Sequence, residues 1–108
     1  MKKLLLVDDE IHIFNFLKHV LKNKIIIDYA PNGKKGLSLF NKNSYDIIIT
    51  DYNMPVMNGI EMIDEIKKIN NKIPVILLTG NKKINTKNIK TIYKPFNIKM
   101  IQNIINKL

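Results

Sequence analysis

Cysteine and arginine are both absent from this 108-residue chain, and each absence excludes a class of function. Without cysteine there is no disulfide framework and no thiolate metal site. Without arginine the net charge of +9 rests wholly on lysine. Base-specific nucleic-acid recognition most often uses the bidentate guanidinium fork, so direct nucleic-acid binding is not expected. Isoleucine and asparagine are also abundant, which points to biased codon usage in an AT-rich genome ahead of a selected polyanion surface. Missing too are a charged-then-apolar leader, an apolar run long enough to span a bilayer, an internal repeat, a low-complexity tract and a linker. The expectation is one soluble, cytoplasmic domain over residues 1–108, with 45% hydrophobic content to fill a single core and no membrane contact.

What is present is an alternation of short apolar runs with amphipathic stretches. Leu4 to Val7, Ile25 to Ile27, Ile47 to Thr50, Pro74 to Leu78 and Thr91 to Tyr93 read as strands. Between and after them, Ile11, Phe14, Leu17, Val20 and Leu21 mark one helix face, and Gly36 to Phe40 lies in a helix introduced by the turn Pro31-Asn32-Gly33. Ile60, Ile63, Ile66 and Ile69 stripe a third helix, and Ile98, Ile101, Ile105 and Leu108 a final one. Strands that are apolar throughout and separated by helices predict a parallel sheet covered on both faces, and right-handed crossovers make it a doubly wound α/β fold.

Such a sheet brings the carboxyl ends of its strands to one edge, where open α/β proteins carry their sites. The ends here are Asp8-Asp9-Glu10, Asp51, Thr79-Gly80 and Lys94-Pro95. Asp51 can serve as a nucleophile, a metal ligand, or both. Crowded carboxylates need a neutralising cation, and oxygen-only ligands at a partly open site favour Mg²⁺. A carboxylate nucleophile beside Mg²⁺, with a hydroxyl and an ammonium facing it, suits phosphoryl transfer.

Taken together, Asp8-Asp9, Asp51 followed by Met54-Pro55 and Asn58-Gly59, Thr79, and Lys94-Pro95-Phe96 resemble the receiver domain of two-component response regulators along essentially the whole chain. The resemblance implies a flavodoxin-like receiver fold, five parallel strands in the order 2-1-3-4-5. It places the phosphoacceptor at Asp51. It implies Mg²⁺, with Mn²⁺ as a substitute, held by Asp9, Asp51 and the backbone carbonyl of Asn53, with Asp8 acting largely through water. Thr79 and Lys94 would meet phosphoryl oxygens, and the bond before Pro95 would be cis. The phosphoryl donor would be a sensor histidine kinase or a histidine phosphotransfer protein, the product a signalling switch and not a turnover enzyme, and the downstream partner an unidentified protein. A monomer or weak dimer is expected.

Two departures concern the downstream half. Thr79 and Lys94 are fifteen positions apart, about two helical turns fewer than the family usually has. Residues 81–88 are polar, with Ile84 and Ile89 as the available apolar positions, so a shortened or missing fourth helix is predicted. Thr91 stands where receivers carry a switch aromatic, and Tyr93 shares its strand parity. Output switching through Thr79, Thr91 and Tyr93 is therefore altered, and a phosphorylation-independent binding module is the alternative function. A hydrolase with an aspartyl-phosphate intermediate fits poorly, because the position two after the nucleophile is Asn53 and not an acid. Lys82, Lys83, Lys87, Lys90 and Lys99 form a basic set that can meet an acidic protein or polyanion if they share the fourth-helix side. Blander readings remain for single residues: Asp8 and Asp9 as helix cap and first-turn acid, Thr79 and Pro95 as ordinary strand-end and turn residues, His12 and His19 as helix-surface residues, Met54 and Met57 as loop packing.

Overall fold

A computed structural model describes residues 1–86 and 88–108; Lys87, one of the basic set, lies outside the described residues. The elements in chain order are β1 (Lys2–Val7), α1 (Ile11–Leu21), β2 (Ile25–Ala30), α2 (Gly33–Lys42), β3 (Ile47–Asp51), α3 (Gly59–Ile69), β4 (Val75–Thr79), β5 (Lys90–Tyr93) and α4 (Ile98–Asn106). All pairings are parallel, in the order β2-β1-β3-β4-β5.

Side chains alternate across the sheet, so each apolar strand supplies two cores. Leu4, Leu6, Ile47, Ile49, Ile76, Leu78 and Ile92 face Leu17 and Leu21 of α1 and Ile101 and Ile105 of α4. Leu5, Val7, Ile48, Val75 and Leu77 face Phe40 of α2 and Met62, Ile63 and Ile66 of α3. Helices of 9–11 residues are marginal in isolation. Burial of each large apolar side chain contributes roughly 1.5–3 kcal/mol, far more than propensity. Asparagine starts three of the helices: Asn32 Oδ1 accepts from the N–H of Lys35 at 2.9 Å, Asn97 Oδ1 from Met100 at 3.2 Å, and Asn58 forms a reciprocal capping box with Glu61.

Some boundaries differ from those expected. β2 continues through Asp28, Tyr29 and Ala30, because pairing with β1 persists to Val7↔Ala30 and an edge strand accommodates polar residues. α2 starts at Gly33, directly after its Asn32 cap. Pro74 precedes β4, where its carbonyl accepts from Ile48 N–H at 3.0 Å, and the strand instead extends to Thr79. α4 ends at Asn106, short of Leu108.

No helix joins β4 to β5 among the described residues. Asn81 turns the chain there: its N–H donates to Thr79 Oγ1 at 3.1 Å and its Oδ1 accepts from Lys83 N–H at 2.9 Å. The described members of the basic set therefore do not share a helix face; Lys82 and Lys83 lie in this turn, Lys90 opens β5 and Lys99 belongs to α4.

Candidate functional site

The site lies at the topological switch point, where β1 and β3 adjoin and the chain leaves the sheet in opposite directions. The pairing Val7↔Thr50 puts Asp8 and Asp51 one residue beyond the same rung. Oxygens of Asp8, Asp9 and Asp51 lie within 4.8 Å of one another. On the other side, Asp51 pairs with Leu78 and Thr79 with Tyr93, and Lys94 N–H donates to the Thr79 carbonyl at 2.8 Å. These links bring Lys94 back over β3: its Nζ stands 3.2 Å from Asp51 Oδ1. The Lys94–Pro95 bond is cis.

Asp51 is buried, and its Oδ1 also accepts from the Tyr52 N–H at 2.9 Å. Burial pushes its carboxyl above the usual range; Lys94 and the Tyr52 N–H oppose this, and Asp9 adds to it. Asp8 is fully buried, and burial is the main reason its carboxyl is raised to about 6, with Asp51 and Asp9 contributing and the Glu10 N–H and Lys94 opposing. Asp8 Oδ1 accepts from Glu10 N–H at 2.8 Å, while Oδ2, also buried, has no hydrogen-bond partner among the described residues. Neither acid caps α1, whose N-cap residue is Glu10 with no side-chain cap bond and whose first turn holds no acid. The helix-cap interpretation of Asp8 and Asp9 thus fails on geometry.

The remaining named residues are distributed around this cluster. Thr79 is buried at the end of β4. Asn53 is exposed on the loop after β3. Thr91 is half-buried, with its hydroxyl donating to the Ile89 carbonyl at 3.0 Å, and Tyr93 is exposed on the same face of β5, opposite the buried Ile92. His12 and His19 are exposed on α1, and Met54 and Met57 pack against the α2/α3 side of the core. Tyr29 was not among the expected site residues, yet its hydroxyl donates to the Asp8 carbonyl at 2.6 Å. The register Leu6↔Tyr29 brings it there, and a strand expected to end at Ile27 does not include it.

Two backbone features hold the loop after Asp51. Gly59 N–H donates to the Tyr52 carbonyl at 2.9 Å, and a Cβ at position 59 would overlap the carbonyl oxygen of Asp51. Gly59→Ala is expected to cost about 2 kcal/mol, the range of overpacking against backbone, measured as a lower urea midpoint at unchanged slope. Val56 sits at φ 71 in a three-residue γ-turn closed by Met57 N–H to the Pro55 carbonyl at 2.8 Å. Its side chain is 92% exposed, so no packing offsets the strain of a β-branched residue in that region. Val56→Gly is expected to raise stability by about 1 kcal/mol in the same experiment.

The donor set fits Mg²⁺. All the ligand atoms are oxygens, three carboxylates converge, two of them are buried with raised carboxyls, and one buried oxygen lacks a partner that a cation or its water would supply.

A family model described as the response regulator receiver domain matches residues 4–106. The chain belongs to that family. The receiver is 41% identical over 81 residues to a transcriptional regulatory protein CpxR homolog of Haemophilus influenzae, covering 74% of this chain and 35% of that protein. It is 32% identical over 80 residues to the chemotaxis protein CheY of Halobacterium salinarum, covering 73% of this chain and 67% of that one. Among solved structures, the response regulator protein TrrA of Thermotoga maritima in complex with Mg²⁺-BeF superposes with a TM-score of 0.88 at 33% identity, covering 99% of this chain and 98% of that one. The chain spans about a third of the length of the transcriptional regulator it matches. Receiver domains are signalling switches, not an enzyme family in the ordinary sense; they accept phosphoryl groups from histidine kinases and use Mg²⁺. No helix among the described residues is long and apolar enough to cross a membrane.

Proposed function

We propose that this receiver is an active phosphoacceptor switch with Asp51 as the accepting residue. The observation that carries the proposal is the placement of a buried Asp51, 3.2 Å from Lys94 Nζ, within an acidic cluster whose Asp8 Oδ2 is buried and has no hydrogen-bond partner among the described residues. Asp51 Oδ1 is engaged by Lys94 and Tyr52. Its Oδ2 is the oxygen that attacks phosphorus of a phosphohistidine on a sensor kinase or phosphotransfer protein. The new O–P bond forms as the P–N bond breaks, and the departing imidazole takes up a proton from solvent. Lys94 offsets charge on the transferred group and Thr79 donates its hydroxyl to one of its oxygens.

Asp9, Asp51 and the Asn53 carbonyl would hold Mg²⁺, with Asp8 acting through water. When bound, the cation supplies charge neutralisation at the phosphoryl oxygens. The acyl phosphate then biases a conformational equilibrium read by a protein partner. Among the described residues no helix lies between β4 and β5, so that read-out does not run through a helix there.

Intact mass after incubation of the native chain with a small-molecule phosphodonor tests this. A single phosphoryl adduct that requires Mg²⁺ is the expected result. Failure to form one, under conditions that label a known receiver, overturns the phosphoacceptor assignment.

A further inference from the structure

Residues 8–10 have no regular structure, yet they must present two carboxylates to one point. Asp8 is held at three of its atoms. Its N–H donates to the Ala30 carbonyl at 3.1 Å, its Oδ1 accepts from Glu10 N–H at 2.8 Å, and its carbonyl accepts from the Tyr29 hydroxyl at 2.6 Å, a short O–H···O bond. The first two bonds involve neighbouring backbone. The third comes from a side chain on the adjacent strand, and Tyr29 is itself braced: its ring stacks on Phe14 of α1, centroids 4.9 Å apart with 29° between planes.

Because a peptide unit is planar, pinning the Asp8 carbonyl also sets the Asp9 N–H and Cα. Asp9 is exposed, so burial cannot fix its direction. Asp8 and Asp51, by contrast, are fixed by burial within the sheet edge.

We propose that the Tyr29 hydroxyl is a positioning group for the cation site, orienting the Asp8–Asp9 peptide so that the Asp9 carboxylate converges with those of Asp8 and Asp51. This rests on the interpretation of the cluster as an Mg²⁺ site. Residues that orient metal ligands without touching the metal commonly govern affinity by about 10-fold or more. Tyr29→Phe retains the ring and its stack on Phe14 and removes the hydroxyl alone.

The test is calorimetric titration of Mg²⁺ into the native chain, Tyr29→Phe and Tyr45→Phe. Tyr45 is the control because it too spends a half-buried hydroxyl on one hydrogen bond, to Asp28 Oδ2 at 2.7 Å, away from the acidic cluster. The expected result is a dissociation constant raised about 10-fold in Tyr29→Phe and unchanged in Tyr45→Phe. The Mg²⁺ concentration for half-maximal phosphodonor labelling should rise in parallel, while the rate at saturating Mg²⁺ is retained. Native binding with an unaltered constant in Tyr29→Phe, or equal weakening in both variants, overturns the positioning role. Absence of Mg²⁺ binding by the native chain overturns the cation site itself, and the role of Tyr29 with it.

Discussion

Asp51→Asn is expected to take up no phosphoryl group under conditions that convert the native chain fully to its single adduct, as read by intact mass. The substitution preserves shape, and the amide oxygen still accepts from the Tyr52 N–H. What it removes is the anionic oxygen that bonds to phosphorus, and a carboxamide cannot replace it as a nucleophile. The variant should remain folded. Its ion pair with Lys94 is lost, but Lys94 is one-third exposed, so the loss counts for at most about 1 kcal/mol. One of three mutually repelling carboxylates disappears at the same time. An Mg²⁺-dependent adduct that persists on Asp51→Asn would place the acceptor on another residue.

Asp8→Asn is expected to stabilise the Mg²⁺-free protein while weakening its response to Mg²⁺. The native carboxyl of Asp8 is raised from 3.8 to about 6. Between those values the folded state binds more protons than the unfolded state, so stability falls as pH rises, and the loss is complete above the upper value. At 1.36 kcal/mol per unit, the penalty at neutral pH is about 3 kcal/mol. The difference in unfolding free energy between Asp8→Asn and native should therefore be near zero below the lower value and reach about 3 kcal/mol above the upper one. Urea titrations in a chelator across that range measure it. Mg²⁺ narrows the gap: at 100 times its dissociation constant it stabilises the native chain by about 2.7 kcal/mol, and the variant by less. A pH-independent difference would show that Asp8 titrates normally and that its burial carries no electrostatic cost.

Much of this site was legible because chemistry in a parallel sheet collects at strand ends. Asp8, Asp9, Asp51, Thr79 and Lys94 each follow an apolar run, and the order β2-β1-β3-β4-β5 places those ends along one edge. The polar stretch after Thr79 was equally readable: with Ile84 and Ile89 as its apolar positions it cannot form a buried helix face, and turns occupy it among the described residues. Tyr29 was not legible. It lies on an edge strand whose polar residues Asp28 and Tyr29 mask its continuation, and its bond to Asp8 spans 21 positions. Nor did the pattern distinguish the two neighbouring acids, of which Asp8 is buried and Asp9 exposed.

The alternation of apolar runs and stripes by itself determined the layered α/β architecture, since burial of every second or every third-to-fourth side chain is a property local to the chain. It also determined which residue types reach the carboxyl edge of the sheet. The tertiary structure alone decided the distances among them: the approach of Lys94 to Asp51, the unpartnered oxygen of Asp8, and the Tyr29 brace. These depend on strand register and on bonds between segments far apart in sequence, which no local periodicity encodes.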